Sequence, residues 1–361
     1  MSDLPRIFGS KNYIVRNSAR SALCQFLFIA KKKIGFKKVV IPSFCCQSIY
    51  LAVIFSGCKP LLVDVDNTNF SLSISDLKKK INDQTLAILL PHIFGINALK
   101  NPNEIYKLKK KFSKSIWIED ACQTFIQKGL LKNNLGMQLD VGLFSFDNSK
   151  PLSGSMGMIV QNSKNSVLKG IFEEFRSLKN NFHKNSVISE LKRLEASYYN
   201  YCVSHLRVSN NSEKHKIPTA LKELYFENGP VSASNYKNSI SSINKVLAKS
   251  SDELNKYFLL FYKKLIKLNS NKFKLYKIEK SDVIWRYPIV FDDRFLTERI
   301  SYELRRIGIN CSNHYYDLSS IFNKAKCLNS YSLSNNIINI WFNSFVEVHK
   351  AFKIFKVNFY D

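Results

Sequence analysis

Short apolar runs alternate with helix-period segments from residue 18 to residue 160, and this alternation limits the fold more than any other feature. Runs at 39–41, 60–64, 86–90, 115–118, 141–146 and 158–160 read as strands. Segments 18–30, 47–55, 74–81 and 104–112 read as helices, with Asn17 or Ser18 capping the first and Gly57 ending the second. Helices between strands supply the crossovers that parallel pairing requires, so this region predicts a mainly parallel sheet covered by helices. From about 163 to 228 the chain is basic, helical in composition and weakly periodic, and it holds the polar stretch Ser209-Asn210-Asn211-Ser212-Glu213-Lys214. A long helix is expected over 232–268, a strand over 283–290 and a helix over 296–307 closed by Gly308. The expected division is a large α/β domain over 1–228, with 163–228 its basic helical segment, and a smaller α+β domain over 229–361. A chain of 361 residues, 45% hydrophobic, can bury cores for both.

Ligands of such sheets bind at the carboxyl ends of the strands. His92, Asp120 and Lys150 each follow an apolar strand segment, so they share one rim. Lys150 closes the segment Ser145-Phe146-Asp147-Asn148-Ser149-Lys150, and Asp120 lies in Ile118-Glu119-Asp120-Ala121-Cys122-Gln123. A lysine and an acid at neighbouring strand ends suit pyridoxal 5′-phosphate (PLP). The amine can form a Schiff base, and the carboxylate can keep the pyridine nitrogen protonated. Taken singly, Lys150 is also one lysine among many, and Asp120 is also a favourable helix cap. Gln123 lies one helical turn beyond Asp120 and can face the same ligand. The helix start at 18–21 is an anion site by its N–H groups and dipole, or a capped helix with no ligand.

The formal charge of +26 raises nucleic acid, acidic lipid or phosphorylated small molecules as partners. The lysine runs 31–33, 78–80 and 109–111 are spread along the chain and read as solvated helix faces. No zinc-finger or RNA-binding aromatic signature accompanies them, so no specific nucleic-acid partner is expected. The eight cysteines form no CxxC pair, and no metal site is expected. No apolar run is long enough to span a bilayer, and residues 1–6 lack a signal core, so a cytoplasmic location with reduced thiols is expected.

A set of ordered blocks goes further. They are Asn17-Ser18-Ala19-Arg20-Ser21-Ala22-Leu23, Val40-Ile41-Pro42-Ser43-Phe44, Gly57 to Asp66, Pro91-His92-Ile93-Phe94-Gly95, Glu119 to Gln123, Asp140 to Phe146, and Gly308-Ile309 followed by His314-Tyr315-Tyr316. In this order they resemble the DegT/DnrJ/StrS family of PLP-dependent sugar aminotransferases. The resemblance implies an aspartate-aminotransferase-like fold (PLP fold type I) and a homodimer with sites at the subunit interface. It implies transfer of an amino group, typically from glutamate, to a keto sugar carried on a nucleotide, for polysaccharide or antibiotic sugar synthesis. It makes Lys150 the Schiff-base lysine, Asp120 the partner of the pyridine nitrogen and Gln123 a contact of the ring. Ser145, Ala19, Arg20 and Ser21 would hold the phosphate. His92 is a cofactor neighbour or a loop-ordering histidine. His314 and Tyr315 lie near the substrate entrance or in a packed loop.

Several positions depart from the family pattern. Ala19 stands where glycine is common, and Cys46 where an aromatic residue often covers the ring. Gly154-Ser155-Met156-Gly157-Met158 replaces Gly-Glu-Gly-Gly-Met, and no Asn-x-Arg block is recognisable over 163–228. Three other functions are weighed against the aminotransferase. A PLP-dependent sugar dehydratase would carry histidine in place of Lys150. The others are a non-catalytic member serving as an assembly or regulatory partner, and a nucleic-acid-binding module driven by charge.

Overall fold

The computed structural model describes residues 12–100, 102–125, 134–178, 185–208, 217–227, 231–247, 249–322 and 326–359. The polar stretch 209–214 and the N-terminal residues 1–6 lie outside the described residues. Among those described, the larger sheet has seven strands: β1 (Tyr13–Arg16), β2 (Lys38–Pro42), β3 (Lys59–Val63), β4 (Thr85–Pro91), β5 (Ile116–Asp120), β6 (Val141–Ser145) and β7 (Gly157–Gln161). Their order is β1-β7-β6-β5-β4-β2-β3. Strands β3, β2, β4, β5 and β6 pair in parallel, while β7 pairs antiparallel with both β6 and β1. β4, β5, β6 and β7 are buried along their whole length, which explains why they read as continuous apolar runs rather than alternating ones.

Helices cover both faces. α1 (Ala19–Ile34) and α2 (Gln47–Phe55) pack on one face with Ile41, Leu89 and Ile118. α3 (Ile74–Lys80) and α4 (Pro102–Lys111) pack on the other with Val40, Ile88 and Trp117. The lysine runs 31–33, 78–80 and 109–111 occupy the last turns of α1, α3 and α4, where the carbonyl end of the helix dipole favours cations. The N–H of Gly35, in the left-handed region at φ 82°, bonds to Lys31 O and stops α1.

Beyond the sheet come α5 (Ser166–Ser177), α6 (Asn185–Val208), α7 (Leu221–Phe226), α8 (Ala233–Leu247), α9 (Ser251–Leu265) and α10 (Arg294–Arg306). A second, four-stranded antiparallel sheet holds β8 (Phe273–Leu275), β9 (Tyr287–Phe291), β10 (Cys311–Ser312) and β11 (Ile337–Ile340) in the order β10-β11-β9-β8. Two expectations change. The helix expected over 232–268 is two helices, because Ser250 and Glu253 form a capping box that starts α9 afresh. The strand expected from 283 begins only at Tyr287. Upstream, the N–H groups of Val283 and Trp285 bond to the carbonyls of Gly95 and Phe94 instead, pinning this segment to the loop after β4. α8, just past the expected boundary at 228, packs Ile240, Ile243 and Val246 against Phe144, Phe146 and Met158 of the large sheet.

At one edge of the large sheet, Arg16, Gly157 and Ser145 stand in one row across β1, β7 and β6, directly beside the start of α1. A Cβ at Gly157 would lie 2.1 Å from Ala19 N and 2.1 Å from Ser18 C. Those are backbone atoms, so the helix start itself would have to move. Gly157→Ala should therefore lower stability by about 1–3 kcal/mol, read as a reduced urea midpoint with an unchanged m-value.

Candidate active site

The parallel strands bring their carboxyl ends to one rim, and what stands there depends on a buried acid next to it. Glu119 has no exposure. Its oxygens accept hydrogen bonds from the N–H groups of Gly136, Gln138 (2.8 Å) and Leu139 (3.1 Å), and from His92 Nε2 at 2.9 Å. His92 Nδ1 accepts the Ala98 N–H at 3.0 Å, which leaves the ring proton on Nε2 to donate to Glu119. Successive residues of a strand face opposite sides. With Glu119 held on one side, Asp120 faces the other, where its Oδ1 accepts the Cys122 N–H at 3.0 Å.

Lys150 is delivered by a short turn after β6. Asp147 Oδ1 accepts both the N–H (3.0 Å) and hydroxyl (2.8 Å) of Ser149, and Lys150 N–H bonds to Asp147 O at 2.8 Å. These bonds, with burial working against them, hold the Asp147 carboxyl below its ordinary range. Asp120 and Lys150 meet in a cavity of about 240 Å³. Gln123, Ser145, Ala19, Arg20 and Cys46 also line it, as do Cys122, Asp147 and Glu195.

The far wall is the start of α1. Ser18 caps it, accepting the Ser21 N–H at 3.2 Å, so the N–H groups of Ala19 and Arg20 are the remaining donors of a turn that borders the cavity. Arg20 is paired with the Glu195 carboxylate, which also takes the Ser48 hydroxyl (3.2 Å) and the Tyr225 hydroxyl. Glu195 comes from α6, inside the basic segment to which no role could be given from sequence.

Not every expected residue reaches the cavity. Ser21 is spent inside the fold: its hydroxyl bonds to Leu224 O at 3.2 Å and lies 2.8 Å from the Ser18 hydroxyl. His92 lies off the cavity wall and orders the loop after β4, as its bonds to Glu119 and Ala98 show. Tyr315 and His314 are also outside the wall but near it. Tyr315 stacks on Phe94 at 6.0 Å, and Tyr315 and Lys150 interact electrostatically. Sequence reading missed Glu119 and Glu195. An acid inside an apolar strand was a usable signal for Glu119; Glu195 had none.

Burial pushes the Lys150 ammonium down, but Tyr315, Cys46, Cys122 and Asp120 together outweigh it and leave the pKa raised. Burial lifts Tyr315 to about 12 and drives the Cys122 thiol well up, so both are protonated at neutral pH. His314 moves the other way, to about 4, through burial and then the positive charges of Arg286, Lys150 and Arg305. Its folded pKa lies below the unfolded value of about 6.5, so the unfolded chain binds more protons in between. Stability should fall as pH drops from about 6.5 towards 4. His314→Asn should remove on the order of 2–3 kcal/mol of that loss, seen by comparing urea unfolding at pH 7 and pH 4.5.

An amine, a carboxylate and a helix N-terminus thus meet in one cavity. They match what PLP presents: an aldehyde carbon, a ring nitrogen and a phosphate. Residues 2–189 match the DegT/DnrJ/EryC1/StrS aminotransferase family, and the chain belongs to that family. It is 29% identical to the GDP-perosamine synthase of Escherichia coli O157:H7 over 161 residues, 44% of this chain and 43% of that protein. It is 30% identical to the GDP-4-keto-6-deoxy-D-mannose 3-dehydratase of Yersinia pseudotuberculosis over 130 residues, 34% of this chain and 32% of that protein. The matched stretches therefore span less than half the length of these relatives. Over nearly the whole chain the fold matches Helicobacter pylori PseC, an aminotransferase involved in the biosynthesis of pseudoaminic acid, with TM-score 0.69 at 19% identity, covering 98% of this chain and 90% of that one.

Proposed function

We propose that this protein is a PLP-dependent aminotransferase that moves an amino group from an amino-acid donor, glutamate by resemblance, to the keto group of a nucleotide-linked sugar. The carrying observation is the convergence of Lys150 and Asp120 on one cavity beside the N-terminus of α1. Bound there, PLP supplies an electron sink for the electron pair left when a proton leaves the substrate carbon. Asp120 holds a proton on the ring nitrogen. The Lys150 amine carries the cofactor at rest, then takes the substrate proton and returns it one position along. The Ala19 and Arg20 N–H groups, the α1 dipole and the Ser145 hydroxyl hold the phosphate. Gln123, whose Oε1 accepts the Phe94 N–H at 2.9 Å, fixes the ring edge and ties it to the loop ordered by His92. Cys46 closes the wall where relatives often place an aromatic ring. His314 and Tyr315 border the substrate side. A basic surface suits the diphosphate of the sugar carrier. A cytoplasmic homodimer, acting in polysaccharide or antibiotic sugar synthesis, is part of the same reading. No described helix is long and apolar enough to cross a membrane.

A dehydratase is the second reading, favoured by the resemblance to a named 3-dehydratase. Lys150 favours transamination, since a flexible amine at this position can both carry the cofactor and shuttle the proton.

Lys150→Ala should abolish amino transfer and the visible absorbance of the loaded protein while leaving the unfolding transition unchanged. Borohydride reduction of the wild type followed by peptide mapping should place the cofactor on Lys150; a label on another lysine would sink the assignment. Asp120→Asn should retain some cofactor but slow the half-reaction with L-glutamate by ~10³-fold, about 4 kcal/mol of barrier. A rate within a few-fold of wild type would leave Asp120 as a turn residue only.

A further inference from the structure

Arg286 is a partly buried cation with no acid paired to it among the described residues. Its guanidinium carbon lies 4.0 Å from the centroid of the Trp285 indole and 4.3 Å from that of Trp341, so two aromatic rings hold it in position. Among the described residues the guanidinium's one hydrogen bond is a long one, from Nη1 to Asn339 Oδ1 at 3.4 Å, and its buried Nε has no partner. A buried guanidinium normally has its donors filled, usually by a carboxylate. Asn339 offers them only the neutral Oδ1, since its amide nitrogen is itself a donor and bonds to Ser312 O (2.9 Å) and His314 O (2.6 Å).

The position of this cation relative to Lys150 suggests what is missing. Lys150 Nζ lies 4.9 Å from the centroid of the same Trp285 indole, so that ring is shared by the reactive amine and the guanidinium. Tyr315 interacts electrostatically with both. Three positive groups, Arg286, Lys150 and Arg305, bear on the neutral ring of His314. Around His314 and Tyr315 the site is therefore electropositive. Arg20 is matched by an acid of its own chain, and Arg286 is not.

We propose that Arg286 is the residue that binds the carboxylate of the amino-acid donor, held against Trp285 and Trp341 so that its guanidinium meets a carboxylate arriving beside Lys150. This rests on the aminotransferase reading above. A planar fork pairs a carboxylate through two parallel hydrogen bonds, which sets orientation as well as affinity. The two indoles hold the fork in place, so little side-chain freedom is lost when the donor arrives. Holding the carboxylate on one side of Trp285 presents the donor's amino end to the Lys150 side. The diphosphate of a nucleotide-linked sugar carries the same kind of anionic oxygens and is the competing occupant.

The test uses PLP-loaded wild type, Arg286→Gln and Arg286→Lys. L-glutamate is titrated in single-turnover half-reactions followed by the cofactor's absorbance. Glutarate, a dicarboxylate with no amino group, and inorganic pyrophosphate are titrated by calorimetry with each protein, with and without the cofactor. In Arg286→Gln the glutamate concentration for half-maximal rate should rise roughly 100-fold. Glutarate binding should be lost, while the resting absorbance, borohydride labelling of Lys150 and pyrophosphate affinity stay as in wild type. Arg286→Lys should recover part of the glutamate response but not all of it, since a point charge replaces a fork. A glutamate response within two-fold of wild type in Arg286→Gln would overturn the proposal, as would loss of pyrophosphate rather than glutarate binding. If the wild type takes up no cofactor, the aminotransferase reading fails. Glutarate binding to the same protein then still decides whether Arg286 holds carboxylates, because calorimetry needs no turnover; no binding, or binding that Arg286→Gln leaves intact, overturns it.

Discussion

A carboxylate shut away from water is costly unless donors surround it, and Glu119 is surrounded. Three backbone N–H groups from 136–139 and the Nε2 of His92 converge on it. Those contacts draw the loop after β4 and the turn before β6 towards the end of β5. The strand's alternation then places Asp120 on the opposite side, towards Lys150. His92 passes the constraint on through Ala98. The Phe94 carbonyl in the same loop receives Trp285 N–H at 2.8 Å, so the segment carrying Trp285 and Arg286 is tied to this loop too. The end of β5 thus organises the Asp120 side of the site and the loop that holds Trp285, while Glu119 itself lies off the cavity wall.

The charges of the chain sort into two kinds. Part of the excess lysine does local work: the runs at 31–33, 78–80 and 109–111 sit at helix C-termini, and several lysines there pair with nearby acids, as Lys80 does with Asp76 at 2.7 Å. Such surface pairs contribute little each. The charges at the site behave differently. Arg20 is neutralised by Glu195, Lys150 faces Asp120, and Arg286 stands between two indoles with its Nε unfilled. Position and burial, not number, set these cations apart from those on the surface.

The basic segment also acquires a structural role. α6 brings Glu195 to the start of α1 and packs Tyr199 near His314 and Tyr316, at 6.2 and 5.8 Å between ring centroids. It forms part of the site from within the same chain, in the region where no Asn-x-Arg block could be recognised. The paired acid beside the helix start means that an arriving phosphate meets Arg20 already engaged, and the free donors there are backbone N–H groups.

The sequence by itself determined the large sheet and the main axis of the site. Strands buried on both faces leave uninterrupted apolar runs, helix crossovers leave 3.6-residue periodicity, and parallel pairing forces the strand ends carrying Asp120, Ser145 and Lys150 onto one rim. These are local or nearest-neighbour signals. The tertiary structure alone decided the rest. The helix expected over 232–268 divides at Ser250 because a capping box outweighs apolar periodicity that continues through it. Residues 283–285 give up their expected strand because the N–H groups of Val283 and Trp285 find carbonyls nearly two hundred residues earlier, at Gly95 and Phe94, and that of Ile284 finds the Asn255 side chain. Ser21 turned inward to Leu224, and Glu195 reached Arg20 from 175 residues away in sequence. No pattern in a linear chain encodes which distant side chain will meet a given strand end, because that depends on how separately formed layers pack.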